Sequence, residues 1–413
     1  SDLLPAGAGG KQVDFVATGA ISNGVTVALK TDGTVEAVKQ TTISASDGAG
    51  SPSIFESAEC LYIAATYDSA NNKVVIAFRA SSNYPAAIVG TVSGSSISFG
   101  TAVVVNSANT GSSSAITYDA NAEKVVVVYN DGYGYAKVGT VSGTSISFGA
   151  AAIVRAGTPI SEYSITYDSA AQKVVVFYHG GGANGRASVG TLSGTSISFG
   201  TDVVFASHGI VFTTSTYDAA AQKVVVAYRN DSNARGSASV GTVSGTSISF
   251  GTAVSIHNST VSYLAIAYDV NAQKNVIAGS FYNLVSDQFN GIAIVGTVSG
   301  TSISFGSQYT YNSGAANMVG AAYDANAEKV VLFYSDVGNS DYGTAIVGTV
   351  SATAISFGSK TVYESASTAY NAATYDASAE KVVVAYSDYG NSSYGTSVVW
   401  TTGFSRLTSN YTA

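Results

Sequence analysis

Short runs of apolar and β-branched residues alternate with brief polar turns along the chain, and this pattern recurs seven times. Each unit begins with a run that ends in Tyr-Asp, and a Lys follows the Asp after five residues in every copy. The seven Asp residues are Asp68, Asp119, Asp168, Asp218, Asp269, Asp324 and Asp376. Their spacing gives a unit of about fifty residues, which is typical of repeat architectures.

Each unit is predicted to contain four strands. The first ends in Tyr-Asp, and the second is a Lys-Val-Val-Val run whose unbroken β-branched residues suit a strand buried on both faces. The third passes through Val-Gly-Thr-Val, and the fourth through Ser-Ile-Ser-Phe, which alternates with period two. The Asp side chain can accept from the backbone N–H groups two and three residues ahead and so close the first hairpin.

A four-stranded antiparallel unit repeated seven times predicts an all-β fold, a seven-bladed β-propeller over residues 19–402. The seventh unit has no Ser-Ile-Ser-Phe copy after Trp400. The N-terminal segment 25–38 has a strand, turn, strand pattern and is predicted to complete the last blade and close the ring. Residues 1–18 are then an N-terminal extension and residues 403–413 a C-terminal tail. An open stack of repeats with capping units is the rival architecture.

Composition narrows the classes of function. The 413 residues include 26 Asp and Glu against 18 Lys and Arg, a net charge of -8, which argues against a nucleic-acid partner because phosphate recognition needs a basic surface. Apolar runs such as residues 125–129 fall far short of the roughly 18 residues that cross a bilayer, so no membrane insertion is expected. The single cysteine, Cys60, is expected to be a small buried residue rather than a reactive thiol.

The variable loops of the units are the expected functional surface. In a propeller, the hairpins between strands one and two and between three and four share one face, and here they are nearly invariant. The loops between strands two and three lie on the other face, differ in every unit, and are rich in Tyr, Ser, Gly and Asn, as adaptable recognition surfaces are. Ordinary loop composition is the alternative explanation. The candidate ligand-binding residues are Tyr84, Tyr133, Tyr135, Arg186, Arg235, Tyr282, Tyr342, Tyr389 and Tyr394.

Motifs for catalysis or metal binding are not found in the sequence. The three histidines, His179, His208 and His257, lie in different units without the spacing of a zinc site. The repeated Asp and Lys are assigned to turn closure. A pair of carboxylates for glycoside hydrolysis would come from the variable loops, and no spacing singles out two of the candidates: Asp131, Glu162, Asp231, Asp287, Asp336, Asp341 and Asp388. We therefore predict no cofactor, no metal and no enzymatic activity.

The segment Ala-Thr-Gly-Ala-Ile-Ser-Asn-Gly at residues 17–24, followed by Val-Ala-Leu-Lys-Thr-Asp-Gly-Thr-Val, resembles the start of bacteriophage virion proteins. The tandem units resemble repeats of fibre and appendage proteins of phages, especially marine phages. This resemblance covers nearly the whole chain. Its motifs are structural, so they assign no functional residue.

The resemblance implies a non-enzymatic virion surface protein that decorates a head or tail and attaches to host-surface glycans. Its implied partners are other virion structural proteins and a host glycan, and a homo-oligomer stays open. It would be made in the host cytoplasm without a signal peptide and carried on the surface of the virion. A polysaccharide-degrading, glycosidase-like propeller and a free glycan-binding lectin are the alternatives.

Overall fold

The computed structural model describes residues 15–22, 25–38, 40–107, 115–157 and 160–409. Two compact units are present: Asp47–Thr402, and the described residues before and after it in the chain. The described ranges hold no α-helix, and their secondary structure is antiparallel β-sheet apart from one parallel bridge and two single-turn 3₁₀ segments, Val337–Asn339 and Tyr389–Asn391. The all-β prediction is confirmed.

The strands are numbered in chain order. Those before the first repeat are β1 (Val27–Leu29), β2 (Val35–Ala37), β3 (Gln40–Ala45), β4 (Gly48–Ala49) and β5 (Ser53–Glu59). The first three repeats contain β6 (Leu61–Asp68), β7 (Lys73–Arg79), β8 (Pro85–Ser93), β9 (Ser96–Phe99) and β10 (Val103–Val104); β11 (Ala115–Asp119), β12 (Lys124–Asp131), β13 (Tyr133–Ser142), β14 (Ser145–Phe148) and β15 (Ala152–Arg155); and β16 (Ser161–Asp168), β17 (Lys173–Gly180), β18 (Asn184–Ser193), β19 (Ser196–Phe199) and β20 (Val203–Ala206).

Two long strands are shared between neighbouring repeats in the second half of the chain. The fourth repeat contains β21 (Ile210–Asp218), β22 (Lys223–Asn230), β23 (Arg235–Ser244) and β24 (Ser247–Phe250), and shares β25 (Val254–Asp269) with the fifth, which adds β26 (Lys274–Asn283), β27 (Gln288–Ser299) and β28 (Ser302–Asn312). The sixth contains β29 (Ala316–Asp324), β30 (Lys329–Asp336), β31 (Tyr342–Ser351) and β32 (Ala354–Phe357), and shares β33 (Thr361–Asp376) with the seventh, which adds β34 (Lys381–Asp388) and β35 (Tyr394–Thr401); β36 (Phe404–Ser409) follows.

Every repeat is an antiparallel sheet in which consecutive strands are neighbours. In the first repeat β6 pairs with β7, β7 with β8, and both β9 and β10 pair with β8. The predicted fourth strand is therefore two segments, which are separated at Gly100. The N–H of Gly100 donates to the carbonyl of Val89 at 3.0 Å, and a Cβ there would lie 1.9 Å from the carbonyl oxygen of Thr144 in the next repeat. Only glycine permits so close an approach between repeats.

The Asp of each Tyr-Asp pair closes the first hairpin, as predicted. Asp68 is buried, and its Oδ1 accepts from the backbone N–H groups of Ala70 and Asn71, both at 3.1 Å. Asp119, Asp324 and Asp376 accept in the same way. A buried carboxylate needs such donors, because desolvation would otherwise penalise its charge. The recurring Asp is therefore structural in these repeats.

Replacing Asp324 with alanine is expected to destabilise the protein by about 1–3 kcal/mol, because the N–H groups of Asn326 and Ala327 lose the carboxylate that accepts from them. Urea unfolding measures the change. Glu59→Ala removes an exposed carboxylate and serves as the matched control. Equal unfolding midpoints for the two variants would contradict the structural role of Asp324.

The Tyr of each Tyr-Asp pair joins neighbouring repeats. The hydroxyl oxygen of Tyr118 accepts from the N–H of Ala70 in the preceding repeat at 3.2 Å. Tyr217, Tyr268, Tyr323 and Tyr375 do the same with the repeats before them. Tyr67 of the first repeat accepts from the N–H of Ser378 in the seventh at 3.1 Å. The first and last repeats thus share the bond that links other neighbours.

The hydrophobic core lies between repeats. The second strands are buried on both faces, as predicted; residues 74–78 of β7 have no exposed surface. One cluster packs Val75 of the first repeat against Val125 of the second, and another packs Ile76 of the first repeat against Val383 of the seventh. The first strands contact each other in order from β6 to β33, and β33 contacts β6. Burial between sheets supplies the hydrophobic stabilisation.

The seventh repeat takes its fourth strand from residues 48–59, not from the predicted hairpin. Strands β4 and β5 pair with β35, whereas β1 and β2 pair only with each other among the described strands. Gly50 explains the difference. Its N–H donates to the carbonyl of Val399 at 2.8 Å, and a Cβ on Gly50 would lie 1.8 Å from the carbonyl oxygen of Ser95, so it reproduces the close approach made by Gly100. The hairpin offers only Gly33, which occupies its turn. The compact unit accordingly begins at Asp47 rather than at residue 19.

Trp400 of β35 lies opposite this substituted fourth strand. In the sixth repeat Gly348 lies opposite Phe357, and a Cβ on Gly348 would be 2.9 Å from the Phe357 ring. In the seventh repeat Trp400 stands at the glycine position and Ala49 at the phenylalanine position. The large and small side chains have exchanged strands, and Trp400 is buried.

Cys60 lies at the junction of the first and seventh repeats. It has no exposed surface, as predicted, and its N–H donates to the carbonyl of Ser393 at 2.9 Å. Burial raises the pKa of the Cys60 thiol well above its usual value, so the reactive thiolate is suppressed.

The second compact unit contains two small sheets. Strands β1 and β2 form one, and β3 pairs with β36 in the other. Val35 is buried, whereas Val27 and Leu29 are exposed. No helix in the described ranges has the length and apolarity that a membrane crossing requires.

Candidate binding site

A β-bulge interrupts the first strand in six of the repeats. In β6 the pairing register shifts between Leu61 and Ala64, and the same shift recurs in β16, β21, β25, β29 and β33. Within each bulge a residue other than glycine adopts the left-handed conformation, with φ between 50° and 55°. These residues are Tyr62, Glu162, Phe212, Tyr263, Met318 and Tyr370. The corresponding position of the second repeat lies outside the described residues.

The left-handed conformation is costly for large side chains. Glycine adopts it freely, and a bulky residue there is a structural outlier worth about 1–3 kcal/mol of strain. Each of the six residues precedes the turn-closing Asp of its repeat by six positions, so the strain is repeated systematically. Such outliers persist when the surrounding structure holds them, and they cluster at functional sites.

All six side chains line one cavity of about 400 Å³, which we call the mouth. Ser161, Tyr163, Thr213 and Leu264 complete its lining. The bulges lie near the ends of the second strands, where Ser161 pairs with His179, and so on the face that carries the variable loops. Function was predicted on this face from the variable loops.

Aromatic rings form two pairs in the mouth. The ring centroids of Tyr62 and Tyr370 are 5.0 Å apart, and those of Phe212 and Tyr263 are 4.9 Å apart. An arginine accompanies each pair: the Arg79 guanidinium lies 4.8 Å from the Tyr62 ring centre, and that of Arg229 lies 4.7 Å from the Phe212 ring centre. Cation–π attraction fixes the orientation of the rings.

Glu162 is the one charged residue in the described lining of the mouth. Its Oε2 accepts from the backbone N–H of Phe212 at 2.8 Å. Oε1 has no hydrogen-bond partner within the described parts of the chain. The carboxylate is therefore held in place by the next repeat.

The Tyr370 hydroxyl of the mouth stays protonated at neutral pH. Burial raises the pKa of Tyr370 to about 12, and the neighbouring Tyr62 contributes. A neutral hydroxyl can both donate and accept, so Tyr370 suits a ligand with hydroxyl groups.

A smaller cavity of about 330 Å³ lies beneath the mouth and shares Tyr163, Thr213 and Leu264 with it. The first strands of all seven repeats contribute to its lining. Small residues predominate because the strands approach closely: a Cβ on Gly320 would lie 2.5 Å from the carbonyl oxygen of Asn371.

None of the nine residues predicted from the sequence lines the mouth. Arg186 is engaged elsewhere, because its Nη1 lies 2.6 Å from Oδ2 of Asp202. Tyr135 stacks on Tyr129 with ring centroids 5.9 Å apart, and the Tyr282 hydroxyl bonds to Asp287.

The other predicted residues lie on separate loops. Tyr133, Arg235 and Tyr389 are exposed, and Tyr84, Tyr342 and Tyr394 are half-buried. Of these, Tyr389 contributes to the raised pKa of Tyr370, after burial and Tyr62. The structure does not gather the predicted set into one site.

Of the carboxylates named for hydrolysis, Glu162 lines the mouth, whereas Asp336 and Asp388 have structural partners outside it. Asp336 accepts from Asn312 at 2.8 Å and lies 3.0 Å from the Lys360 ammonium. Asp388 accepts from the N–H of Gly390 at 3.0 Å, and burial raises the pKa of its carboxyl. Neither lines the mouth or the cavity beneath it. Among the described residues no cluster of three His, Cys, Asp or Glu is suited to a metal ion.

Comparisons with known proteins show similarity of fold but identify no family. No family model matches the sequence, and no curated protein matches it. Among solved structures, the chain is similar to the BP39L lectin from Burkholderia pseudomallei, with a TM-score of 0.63 and 10% identity over 84% of this chain and 97% of the lectin. The chain is also similar to a mutant of the NanB sialidase from Streptococcus pneumoniae, with a TM-score of 0.50 and 13% identity over 85% of this chain and 70% of the sialidase. For a protein of unknown function from Dyadobacter fermentans, the TM-score is 0.50 and the identity 9% over 87% of this chain and 98% of that protein. At these identities the likeness is one of fold.

Proposed function

We propose that residues 47–402 form a closed β-propeller of seven blades that binds a glycan at the mouth without hydrolysing it. Closure is supported by the Tyr67–Ser378 hydrogen bond, by the packing of Gly50 on Ser95, and by the contact of β33 with β6. A closed ring leaves no sheet face uncovered between the first and last repeats, whose residues pack in one core cluster.

The recurrence of six strained, bulky residues around one cavity carries the assignment. Aromatic rings offer flat apolar surfaces to the C–H faces of a sugar, while Glu162 and the tyrosine hydroxyls supply polar groups for its hydroxyls. A site for an apolar ligand would have no use for the carboxylate. Convergence of flat apolar surface with a few oriented polar groups is the combination that a sugar ring requires.

Binding is favoured over hydrolysis because the described mouth contains one carboxylate. Glycoside hydrolysis ordinarily needs two carboxyl groups flanking the bond that is cleaved. Glu162 has no such partner in the described lining, and Asp336 and Asp388 are engaged in their own loops. The likeness to a lectin and to a sialidase fits a glycan ligand and favours neither activity by itself. The virion-surface assignment stays a prediction, based on the resemblance of the repeats.

Replacing Tyr263 with glycine is expected to abolish glycan binding while leaving the fold intact. Glycine adopts φ near +53° without strain, so the relief offsets the lost packing of the ring. A role limited to packing predicts clear destabilisation instead. The measurements are a glycan array, calorimetric titration of the glycans that bind, and thermal unfolding.

Tyr133→Ala is the matched control, because it removes an exposed loop tyrosine outside the mouth. We expect it to bind as the unchanged protein does. Retention of binding by Tyr263→Gly, or absence of binding to every glycan by the unchanged protein, would refute the proposed function.

A further inference from the structure

The two aromatic pairs of the mouth come from opposite sides of the proposed ring. Tyr62 and Tyr370 belong to the first and seventh repeats, which are neighbours, and Phe212 and Tyr263 belong to the fourth and fifth. In a ring of seven, the fourth repeat stands across from the junction of the first and seventh. The mouth therefore has two aromatic walls on roughly opposite sides of the proposed ring, and each wall is a pair of rings tilted by 52° or 53° to one another.

The edges between the walls differ in polarity. Glu162 of the third repeat lies on one side, and Met318 of the sixth repeat on the other. Neither Arg79 nor Arg229 lines the cavity; each lies over a face of a wall ring. Within the described lining, a ligand in the mouth thus meets aromatic rings on two sides, a carboxylate on a third and an apolar side chain on a fourth.

We propose that the mouth selects a neutral pyranose whose ring hydroxyls are all equatorial, held edge-on between the two aromatic walls. This inference rests on the proposed function and names its ligand class. In such a sugar, of the gluco or xylo configuration, both ring faces present only axial C–H bonds, so each face can rest against a wall. The equatorial hydroxyls point outward from the ring edge, where Oε1 of Glu162 accepts from them.

Axial hydroxyls and negative charge are disfavoured for separate reasons. A galacto- or manno-configured ring carries an axial hydroxyl on one face, and burying that hydroxyl against an aromatic wall removes its water without supplying a partner. A uronate or sialate would bring its carboxylate into a cavity whose described charge is the negative Glu162. A one-walled site would tolerate the axial hydroxyl on its open side.

Calorimetric titration with four neutral β-linked oligosaccharides, of gluco, xylo, galacto and manno configuration, tests the proposal, with a glucuronate oligomer as the charged probe. We expect gluco and xylo probes to bind about tenfold or more tighter than the others, corresponding to about 1.4 kcal/mol or more. Phe212→Gly, which opens one wall at a position where glycine is unstrained, should reduce the gluco-to-galacto ratio toward one. Glu162→Gln should weaken binding of the gluco probe several-fold and leave the gluco-to-galacto affinity ratio unchanged.

The outcomes separate this inference from the proposed function. Equal or tighter binding of the galacto, manno or glucuronate probe overturns the selection while leaving glycan binding intact. An unchanged ratio in Phe212→Gly overturns the two-walled arrangement. Failure of all probes, together with an empty glycan array, refutes the proposed function and this inference with it.

Discussion

Replacing Trp400 with glycine is expected to destabilise the protein by about 3–5 kcal/mol, and adding Ala49→Phe is expected to recover most of that loss. Truncation of a buried tryptophan leaves a cavity in addition to the lost transfer free energy. Trp400 is almost fully buried and packs edge-on against Phe333, with ring centroids 5.8 Å apart. The lost stability concerns the seventh repeat, whose sheet combines strands from both ends of the compact unit.

The rescue follows from the exchange of side chains between β4 and β35. The double variant places glycine and phenylalanine where Gly348 and Phe357 stand in the sixth repeat. Residues that share a cavity give non-additive effects in a double-mutant cycle. Because Ala49→Phe alone is also destabilising, recovery of most of the loss requires a coupling free energy at least as large as the roughly 3–5 kcal/mol lost on removal of Trp400.

Chemical denaturation of the four proteins in the cycle measures this coupling. Ala49→Phe alone is expected to destabilise, because an added ring overfills the space that Trp400 occupies. Additive effects would show that the two positions do not share one space, and would count against the pairing of residues 48–59 with the seventh repeat.

Trp400 also shows where the sequence was sufficient and where it was not. The Tyr-Asp and Ser-Ile-Ser-Phe motifs predicted the repeats, their strands and the turn role of Asp, because those positions recur. The substitute strand at residues 48–59 has alanine in place of phenylalanine, so motif matching missed it. Trp400 at a glycine position was the available signal that volume had moved to the other strand.

The mouth was missed for a different reason. Residues such as Tyr62 and Tyr263 lie within the predicted first strands, and period-two alternation gives no sign of a bulge. The prediction was based on loop composition and therefore selected tyrosines of the variable loops instead. Alignment of the repeats on the turn-closing Asp would have shown a bulky residue six positions before it in the repeats now seen to bulge. Left-handed backbone and convergence on one cavity required coordinates.

Stability is expected to fall as the pH rises from about 10 to about 12, in part through Tyr323 and Tyr375, which join neighbouring repeats. Burial raises the pKa of Tyr323 to about 12, with the charge of Asp269 adding to it, and burial does the same for Tyr375, next to Asp324. In the unfolded chain these hydroxyls ionise near pH 10. Between the two values the unfolded state binds fewer protons than the folded state, so the free energy of unfolding decreases as pH rises.

Denaturant unfolding at fixed pH values between 7 and 12.5 measures this loss of stability. A free energy of unfolding that falls with rising pH distinguishes ionisation of the tyrosines from titration of the carboxylates. The stability contributed by a raised tyrosine pKa is complete below pH 10 and is lost as pH passes the folded value. Tyr323→Phe is expected to be less stable at pH 7, because the N–H of Asn271 loses the hydroxyl, and to have a shallower alkaline slope. The same slope in both proteins would mean that the hydroxyls between repeats do not resist ionisation. In a closed ring every junction carries such a bond, so alkaline unfolding should be cooperative, whereas an open stack of repeats would fray from its ends.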